Sequence, residues 1–267
     1  PPLSKLLNNK TTMTLSLAII SVIMTLILYL VRPFVSEFFM RQAGLAITHN
    51  DAKKAYDHHV RAITLSPRLT SYHLSFATMN LNIARALSQK NDLNDDDRQN
   101  ISNLLSQSIR SAKIATTLRP NDASTWHTLA VIYQNLMGVA KGAEDFTLTA
   151  YQRTITLDKA NPQLRVQYAD ILTQLGRAQE DPVKQNTYYD QAQESLQTAI
   201  QLKNDYVGAH YNLSKLLESR GDLVGAYLAM QKVVRYLDSN SPNYGQSQAE
   251  LETLKAKLPL PTPNSNL

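Results

Sequence analysis

Residues 62–67 read AITLSP, and the same phrase returns as ATTLRP at 115–120, TITLD at 154–158 and AIQLK at 199–203. A weaker fifth copy, VVRYL, occupies residues 233–237. Each phrase places aliphatic residues just before a polar residue or a proline, which is typical of the last turn of a helix. Self-similarity at intervals of a few tens of residues predicts a repeat protein in which each repeat is one supersecondary unit.

Small residues mark the places where paired helices of such repeats would approach closely. Those expected in the first helices are Ala43, Ala77, Ala130, Ala169 and Ser214. Those expected in the second helices are Ala55 with Ala62, Ser108 with Ala115, Thr147 with Thr154, Ala192 with Ala199, and Ala226 with Val233. One helical pair cannot bury its apolar stripe alone, so neighbouring pairs must stack around a shared core. The large residues expected to fill that core are Phe39, Trp126, Tyr151, Tyr168, Leu196 and Met230.

This pattern resembles the tetratricopeptide-repeat (TPR) family, whose motif is a helix–turn–helix of about 34 residues. The large motif residues of the third repeat are matched by Trp126, Leu129 and Tyr133, and those of the fifth by Leu213, Leu217 and the turn residue Gly221. The resemblance covers residues 36–240. It implies an all-α fold, a right-handed TPR-type α-solenoid of about five repeats, which binds other proteins and is not an enzyme.

The sequence as a whole predicts five segments along the chain. They are a flanking loop or tail at 1–10, a transmembrane helix at 11–35, the solenoid at 36–240, a capping helix at 241–258 and a flexible tail at 259–267. The repeats are expected at about 36–69, 70–122, 123–161, 162–206 and 207–240. The chain begins with Pro1 rather than Met, which indicates a processed chain or a piece of a longer protein.

The N-terminal apolar segment has the length of a membrane span. Residues 15–31 read LSLAIISVIMTLILYLV, and no charge occurs between Thr11 and Val31. As a helix this uncharged run would extend roughly 31 Å, close to the thickness of the hydrocarbon layer. A signal peptide would end in a small-residue cleavage site, whereas Arg32 and Pro33 follow here. The sequence therefore predicts a bitopic membrane protein that contacts the bilayer through residues 11–35.

The distribution of charge limits the partners and leaves the orientation open. The net charge is +5, but only 24 basic residues face 22 acidic ones once Lys5, Lys10 and Arg32 are set aside. A nearly neutral repeat region argues against a nucleic-acid surface. The positive-inside rule gives a tie, since Lys5 and Lys10 precede the span while Arg32 and Arg41 follow it. The low charge, the lack of cysteine and the many Asn, Gln, Ser and Thr residues favour the extracytoplasmic side.

The resemblance implies a partner-binding groove lined by first helices, which would take an extended peptide or a helix. By repeat register, the groove residues are Ser71, Leu74, Thr78, Ser124, His127, Val131, Gln134, Asn135, Asp170, Thr173, Gln174, Tyr211, Lys215 and Glu218. The set is mostly polar and neutral, and such amides and hydroxyls can bond a peptide backbone. The family's carboxylate clamp needs Lys, Asn and Arg at matched positions, which here hold Leu74, Thr78, His127, Val131 and Asn212. No acidic chaperone tail is therefore expected as the partner.

No motif in the sequence indicates a cofactor, a metal or a small-molecule substrate. The chain has no cysteine, which excludes thiolate metal sites and cysteine nucleophiles. The run from Asp92 to Asp97 starts like a calcium loop, but Asp97 stands where Gly is needed and Asn103 where Glu is needed. Its carboxylates are better explained as the start of a helix near Arg98. His59, next to His58, is expected to pack in the core rather than bind metal.

Three hypotheses for the function remain open from the sequence. The first is a membrane-anchored scaffold that binds a partner in the groove of its repeats. The second is the C-terminal regulatory or assembly region of an envelope polysaccharide enzyme, because the arrangement resembles the C-terminal part of bacterial O-antigen ligase- or polymerase-like proteins. The third is a surface protein that self-assembles through its repeats, which would make it a homo-oligomer. All three use a protein surface and make no covalent bond.

Overall fold

A computed structural model describes residues 9–258, with side chains from Met13 onward. The expected tail at 259–267 and most of the flanking segment at 1–10 lie outside the described residues. Within 9–258 the chain forms eleven α-helices and no β-strand, so the all-α prediction is confirmed. The helices are α1 Asn9–Thr48, α2 Ala52–Leu65, α3 Thr70–Ser88, α4 Asp95–Leu118, α5 Ala123–Gln134, α6 Ala143–Leu157, α7 Pro162–Arg177, α8 Pro182–Leu202, α9 Val207–Ser219, α10 Leu223–Tyr236 and α11 Tyr244–Lys257.

Consecutive helices pack as hairpins in the order that the repeat pattern predicts. The pairs are α1 with α2, α3 with α4, α5 with α6, α7 with α8, and α9 with α10. The helix α11 then packs on α10. The chain divides into two compact units, one ending at Pro120 and the other beginning at Asn121. The first unit contains α1 to α4 and the second contains α5 to α11.

Short polar side chains begin most of the helices. The side chains that accept a backbone N–H in the first turn are Asp51, Asn94, Asp122, Asn161, Asp181 and Asp222. Each satisfies one of the N–H groups that a helix N-terminus leaves without an internal partner. The cap at Asn94 starts α4 at Asp95, three residues before the predicted position near Arg98. The acidic run is therefore the first turn of the helix, where carboxylates are stabilised by the helix dipole.

The small residues of the repeat pattern are buried at every predicted position. In the first helices, Ala43, Ala77, Ala130, Ala169 and Ser214 are all 0% exposed. The ten second-helix residues, from Ala55 to Val233, are at most 1% exposed. Ser108 and Ser214 also donate hydrogen bonds to the carbonyls of Ala77 and Ala226, at 2.7 Å each. The hairpins can close this tightly because no larger side chain separates their backbones.

The expected large core residues divide into two groups. Tyr151, Leu196 and Met230 are at most 2% exposed, which confirms their prediction as core. The side chains of Phe39, Trp126 and Tyr168 are only half-buried. The second and fourth predicted repeats are the longest, and their second helices are extended, since α4 has 24 residues and α8 has 21.

The first helix joins two different environments without a break. From Met13 to Phe34 the side chains are exposed on all sides, whereas Ser36, Ala43 and Ala46 of the same helix are buried. Among the described residues, this is the one helix long and apolar enough to cross a membrane, with a mean hydropathy of 2.5 in its most apolar window. A signal sequence near the N-terminus can meet the same criteria of length and composition. The predicted boundary between residues 35 and 36 lies inside one helix, because α1 continues through Pro33.

Candidate partner-binding surfaces

The predicted groove residues of the second unit lie on its first helices, α5, α7 and α9. The face that they form is called here the first-helix face of the second unit. Its members on α5 are Ser124, His127, Val131 and Gln134, with Asn135 as the C-cap; those on α7 are Asp170, Thr173 and Gln174; and those on α9 are Tyr211, Lys215 and Glu218. The helices α7 and α9 contact each other directly.

A chain of polar contacts joins α5 to its neighbours at this face. His127 Nε2 lies 3.0 Å from Gln167 Oε1 of α7, and its ring lies edge-on to the ring of Tyr151. The Tyr151 hydroxyl donates to Gln134 Oε1 at 2.9 Å. Burial, and then the nearby charge of Asp170, raise the pKa of Tyr151 to about 12, so its hydroxyl remains a donor. These contacts fix the orientations of His127 and Gln134.

The α7 part of the face contains both available and unavailable side chains. Asp170 and Gln174 are exposed and bonded to each other, with Gln174 Nε2 donating to Asp170 Oδ2 at 2.9 Å. Thr173 is only 9% exposed, and its hydroxyl donates to the Ala169 carbonyl of its own helix. Asp170 and Gln174 can therefore bond a partner, whereas Thr173 is used in internal packing.

The α9 part of the face contacts the last helix, α11. Lys215 Nζ lies 2.8 Å from Glu218 Oε2 and 3.6 Å from Glu250 Oε2, and Lys257 Nζ lies 2.8 Å from Glu218 Oε1. The Tyr211 hydroxyl donates to Glu250 Oε1 at 3.4 Å. Hydrogen bonds from Lys215 and then Lys257 hold the pKa of Glu218 below its usual value, and the bond to Glu218 raises the pKa of Lys215. These three predicted groove residues therefore attach α11 to α9.

Three polar residues of this surface were absent from the sequence prediction. Gln167 precedes Asp170 by one turn of α7, so continuing the register backwards would have found it. Glu250 and Lys257 belong to α11, which the sequence presented only as a capping helix. Treating α11 as a further first helix would have placed them beside α9.

In the first unit, the predicted residues Ser71, Leu74 and Thr78 lie along one side of α3. Ser71 and Thr78 are exposed and Leu74 is half-buried. An apolar cavity of about 460 Å³ lies at the end of this unit that contains the turn between α1 and α2. Its lining comprises Ile47, Asn50, Ala52, Ala55, Met79, Asn82, Ile83, Ala86 and Leu87. The three predicted residues are not among those that line the cavity.

A polar cleft of about 370 Å³ lies on the second-helix side of the second unit. It is lined by Gln152, Ile155, Thr156, Arg165, Tyr168, Gln191, Glu194, Ser195 and Thr198. None of these side chains belongs to the predicted groove. The cleft contains both a guanidinium, at Arg165, and a carboxylate, at Glu194, so it does not select one sign of ligand charge.

The acidic and histidine-rich segments have structural explanations. Asp97 accepts a hydrogen bond from Lys90 Nζ at 2.8 Å, which lowers the pKa of this carboxyl. His59 is 1% exposed, as predicted, and bonds the Ala55 carbonyl and the Ser75 hydroxyl. Between residues 13 and 258, no group of three or more His, Asp or Glu residues has an arrangement that could hold a metal ion.

Comparisons with known proteins identify the fold. No protein-family model matches the chain. No curated protein matches it in sequence. The solved structures that it resembles include the MamA protein, with a TM-score of 0.53 and 16% identity over 86% of this chain and 98% of that one. A tetratricopeptide-repeat protein from Parabacteroides merdae ATCC 43184 gives a TM-score of 0.60 with 12% identity, over 84% of this chain and 74% of that one.

A third similar structure is YrrB, described as a TPR protein with an unusual peptide-binding site. Its TM-score is 0.52 with 12% identity, over 80% of this chain and 90% of that one. These likenesses show that the chain has the TPR-type α-solenoid fold, as the sequence predicted. The similarity in arrangement to O-antigen ligase-like proteins gains no support from them.

Proposed function

We propose that this TPR-fold chain is a membrane-anchored scaffold that binds a peptide or helix of a partner protein. The observation that carries the proposal is the change of environment along α1. Met13 to Phe34 is apolar and exposed on every side, while Ser36 onward packs as the first helix of a hairpin. Such a segment would have its apolar side chains in water unless a bilayer surrounds it, and a helix satisfies its own backbone there.

The position of the segment also supports an anchor over a cleaved signal sequence. The same helix supplies Ser36, Ala43 and Ala46 to the first unit, and Arg32 and Pro33 stand where a cleavage site would need small residues. Cleavage close to Ser36 would remove the start of a packed helix. The apolar segment therefore serves as a permanent part of the chain.

We assign partner binding to the part of the first-helix face formed by α5 and α7. Asp170 and Gln174 present an exposed acceptor and an exposed amide, and His127 lies one helix away, beside Gln167. These groups can bond the backbone of an extended peptide, while α11 already occupies the bonding groups of α9. YrrB, which has the same fold, is described as having a peptide-binding site, which agrees with this role for the fold.

The anchor is tested by membrane extraction of the full chain. We expect the protein to stay in the membrane pellet after alkaline carbonate, to float with liposomes, and to keep its apolar segment when its mass is measured. Ile23→Lys should release it, because a charge at the centre of a span costs about 3 kcal/mol or more. Val224→Lys, at an exposed position of α10, is the control and should leave the protein in the pellet. Release of the wild-type protein by carbonate would disprove the anchor.

The binding face is tested by photo-cross-linking in intact membranes. A benzophenone amino acid at Asp170 or Gln174 should give one adduct of defined mass. The same probe at Thr149 or Gln197, exposed on second helices, is the control and should give none. Equal adducts from both sets of positions would argue against a specific face.

A further inference from the structure

One end of the first unit carries an excess of positive charge beside the apolar segment. We call it the proximal end and define it by Arg32, Ser36, Arg61 and the α2–α3 turn at residues 66–69. The turn is attached to α1, since the hydroxyls of Ser36 and Ser66 lie 2.8 Å apart. Tyr72, just after the turn, donates to Glu37 Oε2 of α1 at 3.1 Å. These contacts fix how far the turn stands from the start of the apolar run.

The distance from this turn to the apolar run is short. Ser36 follows Arg32 by one helical turn, or roughly 6 Å along the axis of α1. If the uncharged run fills the hydrocarbon layer, Arg32 lies at its boundary and the α2–α3 turn lies within the headgroup layer. Proteins commonly place Arg and aromatic residues at this depth. Phe34 is 77% exposed and Phe38 is 55% exposed, so both can insert there.

The exposed residues of the proximal end suit an anionic lipid surface. Arg32 and Arg68 are exposed, and neither forms an ion pair within residues 13–258. Arg61 is exposed and lies over the ring of Phe39, with 5.5 Å from its guanidinium carbon to the ring centre. Leu69, in the turn, is 43% exposed. The acids nearest this end are Glu37, which is paired with Arg41, and Asp57, which precedes Arg61 by one turn of α2.

The opposite, distal end of the unit lacks this excess. It comprises the α1–α2 turn and the residues around the α3–α4 turn, and its acids are Asp51, Asp92, Asp95, Asp96 and Asp97. Asp51 pairs with Lys54 at 2.9 Å and Asp97 with Lys90 at 2.8 Å. This surface lies at the opposite end of α3 and is more than a Debye length of about 8 Å from the headgroups. Their charge would therefore neither attract nor repel it.

We infer that the proximal end of the first unit is a lipid-binding surface. Arg32, Arg61 and Arg68 would bind the phosphates of anionic headgroups in the leaflet that α1 enters, and Phe34, Phe38 and Leu69 would insert beside them. The inference rests on the proposed membrane anchor and adds a function to it. The first unit is then held against the bilayer at two places, the helix and the turn, which restricts its tilt. Each Arg near an anionic surface raises the preference for anionic over neutral lipid about fivefold.

The test uses the full chain in nanodiscs of phosphatidylcholine alone or mixed with phosphatidylglycerol. Because the natural chain has no cysteine, one introduced thiol labels a single position. A fluorophore at Leu69→Cys reports the proximal end, and one at Ser88→Cys, at the other end of α3, reports the distal end. Nitroxide on the lipid headgroups quenches a fluorophore that lies in their layer. A third fluorophore, at Leu26→Cys, shows through acyl-chain quenching whether α1 is inserted.

We expect the headgroup nitroxide to quench the fluorophore at position 69 and not the one at 88. The quenching at 69 should be stronger with phosphatidylglycerol and should be reduced by salt. The double variant R61Q/R68Q should lower the preference for phosphatidylglycerol at least fivefold, and the matched distal variant K53Q/R98Q should leave it unchanged. Circular dichroism confirms that both variants fold. The inference would be overturned, with the anchor intact, if the fluorophore at 26 is inserted but the one at 69 is not quenched. The same holds if the fluorophore at 69 is quenched equally with and without phosphatidylglycerol. Failure of position 26 to insert would overturn both.

Discussion

At the scale of single residues, the close approach of paired helices depends on small side chains. Ala130 of α5 is 0% exposed and packs in a cluster with Ala150, Tyr151, Ile171 and Leu175. Interiors at crystal-like packing density have no room for three added carbon atoms. The sequence could predict such positions, because a close helix crossing admits only small residues whichever protein contains it.

Ala130→Leu should lower the free energy of unfolding by about 1–3 kcal/mol through overpacking. The control is Ala256→Leu in α11, where the residue is exposed and the same substitution should have little effect. Thermal denaturation followed by circular dichroism in detergent would show a lower Tm for the first variant only. Equal Tm values for wild type and Ala130→Leu would mean that the hairpin tolerates a wider separation than the structure has.

The buried His59 should make the stability of the first unit depend on pH. Its Nδ1 lies 2.9 Å from the Ala55 carbonyl, so Nδ1 carries the hydrogen, and Nε2 accepts from the Ser75 hydroxyl at 2.9 Å. Burial lowers the pKa of His59 below the ordinary 6.5, a shift that the bond to Ala55 opposes. As pH falls below 6.5, the unfolded chain binds a proton that the folded chain does not, so stability falls.

His59→Gln should weaken this pH dependence, since glutamine does not titrate. The measurement is the difference in Tm between pH 8 and pH 5.5 for both proteins, which should be larger for the wild type. His49→Gln, at an exposed position, serves as the control and should keep the wild-type difference. The same pH dependence in His59→Gln would assign the effect to other groups.

At the scale of helices, the last helix α11 depends on an apolar contact centred on Leu254, with Leu251 beside it, and on a network of charges. Leu254 is 2% exposed and packs with Ala226, Met230 and Val233 of α10. Lys257 adds an ion pair to Glu218, but both side chains are partly exposed, and such pairs contribute at most about 1 kcal/mol. The apolar contact should therefore determine whether α11 stays docked.

Leu254→Ala should destabilise the docking of α11 by about 2–5 kcal/mol. Hydrogen exchange would show faster exchange of the α11 amides, with smaller changes in α7 and α8. The neighbouring substitution Thr253→Ala, at an exposed position, is the control and should leave exchange unchanged. Unchanged exchange in Leu254→Ala would mean that the charge network alone holds the helix.

Some features of the helices were not predicted from the sequence. The start of α4 at Asp95 follows from a cap at Asn94 that the sequence contains but does not single out among several acidic residues. The sequence prediction divided the chain between residues 35 and 36, whereas α1 continues through this boundary, although proline usually ends a helix. Here Pro33 leaves only the Tyr29 carbonyl without its helical partner, close to the end of the apolar run where water can reach it. The link between α9 and α11 joins residues that are distant in sequence, such as Glu218 and Lys257, so local pattern could not give it.

At the scale of the whole chain, the proposed anchor can place the repeats on either side of a membrane. The positive-inside rule counts Lys and Arg near the span and finds similar numbers on both sides. The composition, with no cysteine and few charges, favours the extracytoplasmic side. A lipid-binding proximal end is compatible with either leaflet, provided that the leaflet contains anionic lipid.

Protease digestion of sealed, right-side-out membranes would determine the side. Lys141 is exposed in the connection between α5 and α6, so trypsin should cut there if it reaches the repeats. We expect cleavage without lysis, which a denaturing gel would show as one fragment that ends at 141 and one that contains α6 to α11. Lys141→Gln should remove that pair of fragments, which identifies the cut. Protection until lysis would instead place the repeats in the cytoplasm, and the anchor would then bring a cytosolic partner to the inner leaflet.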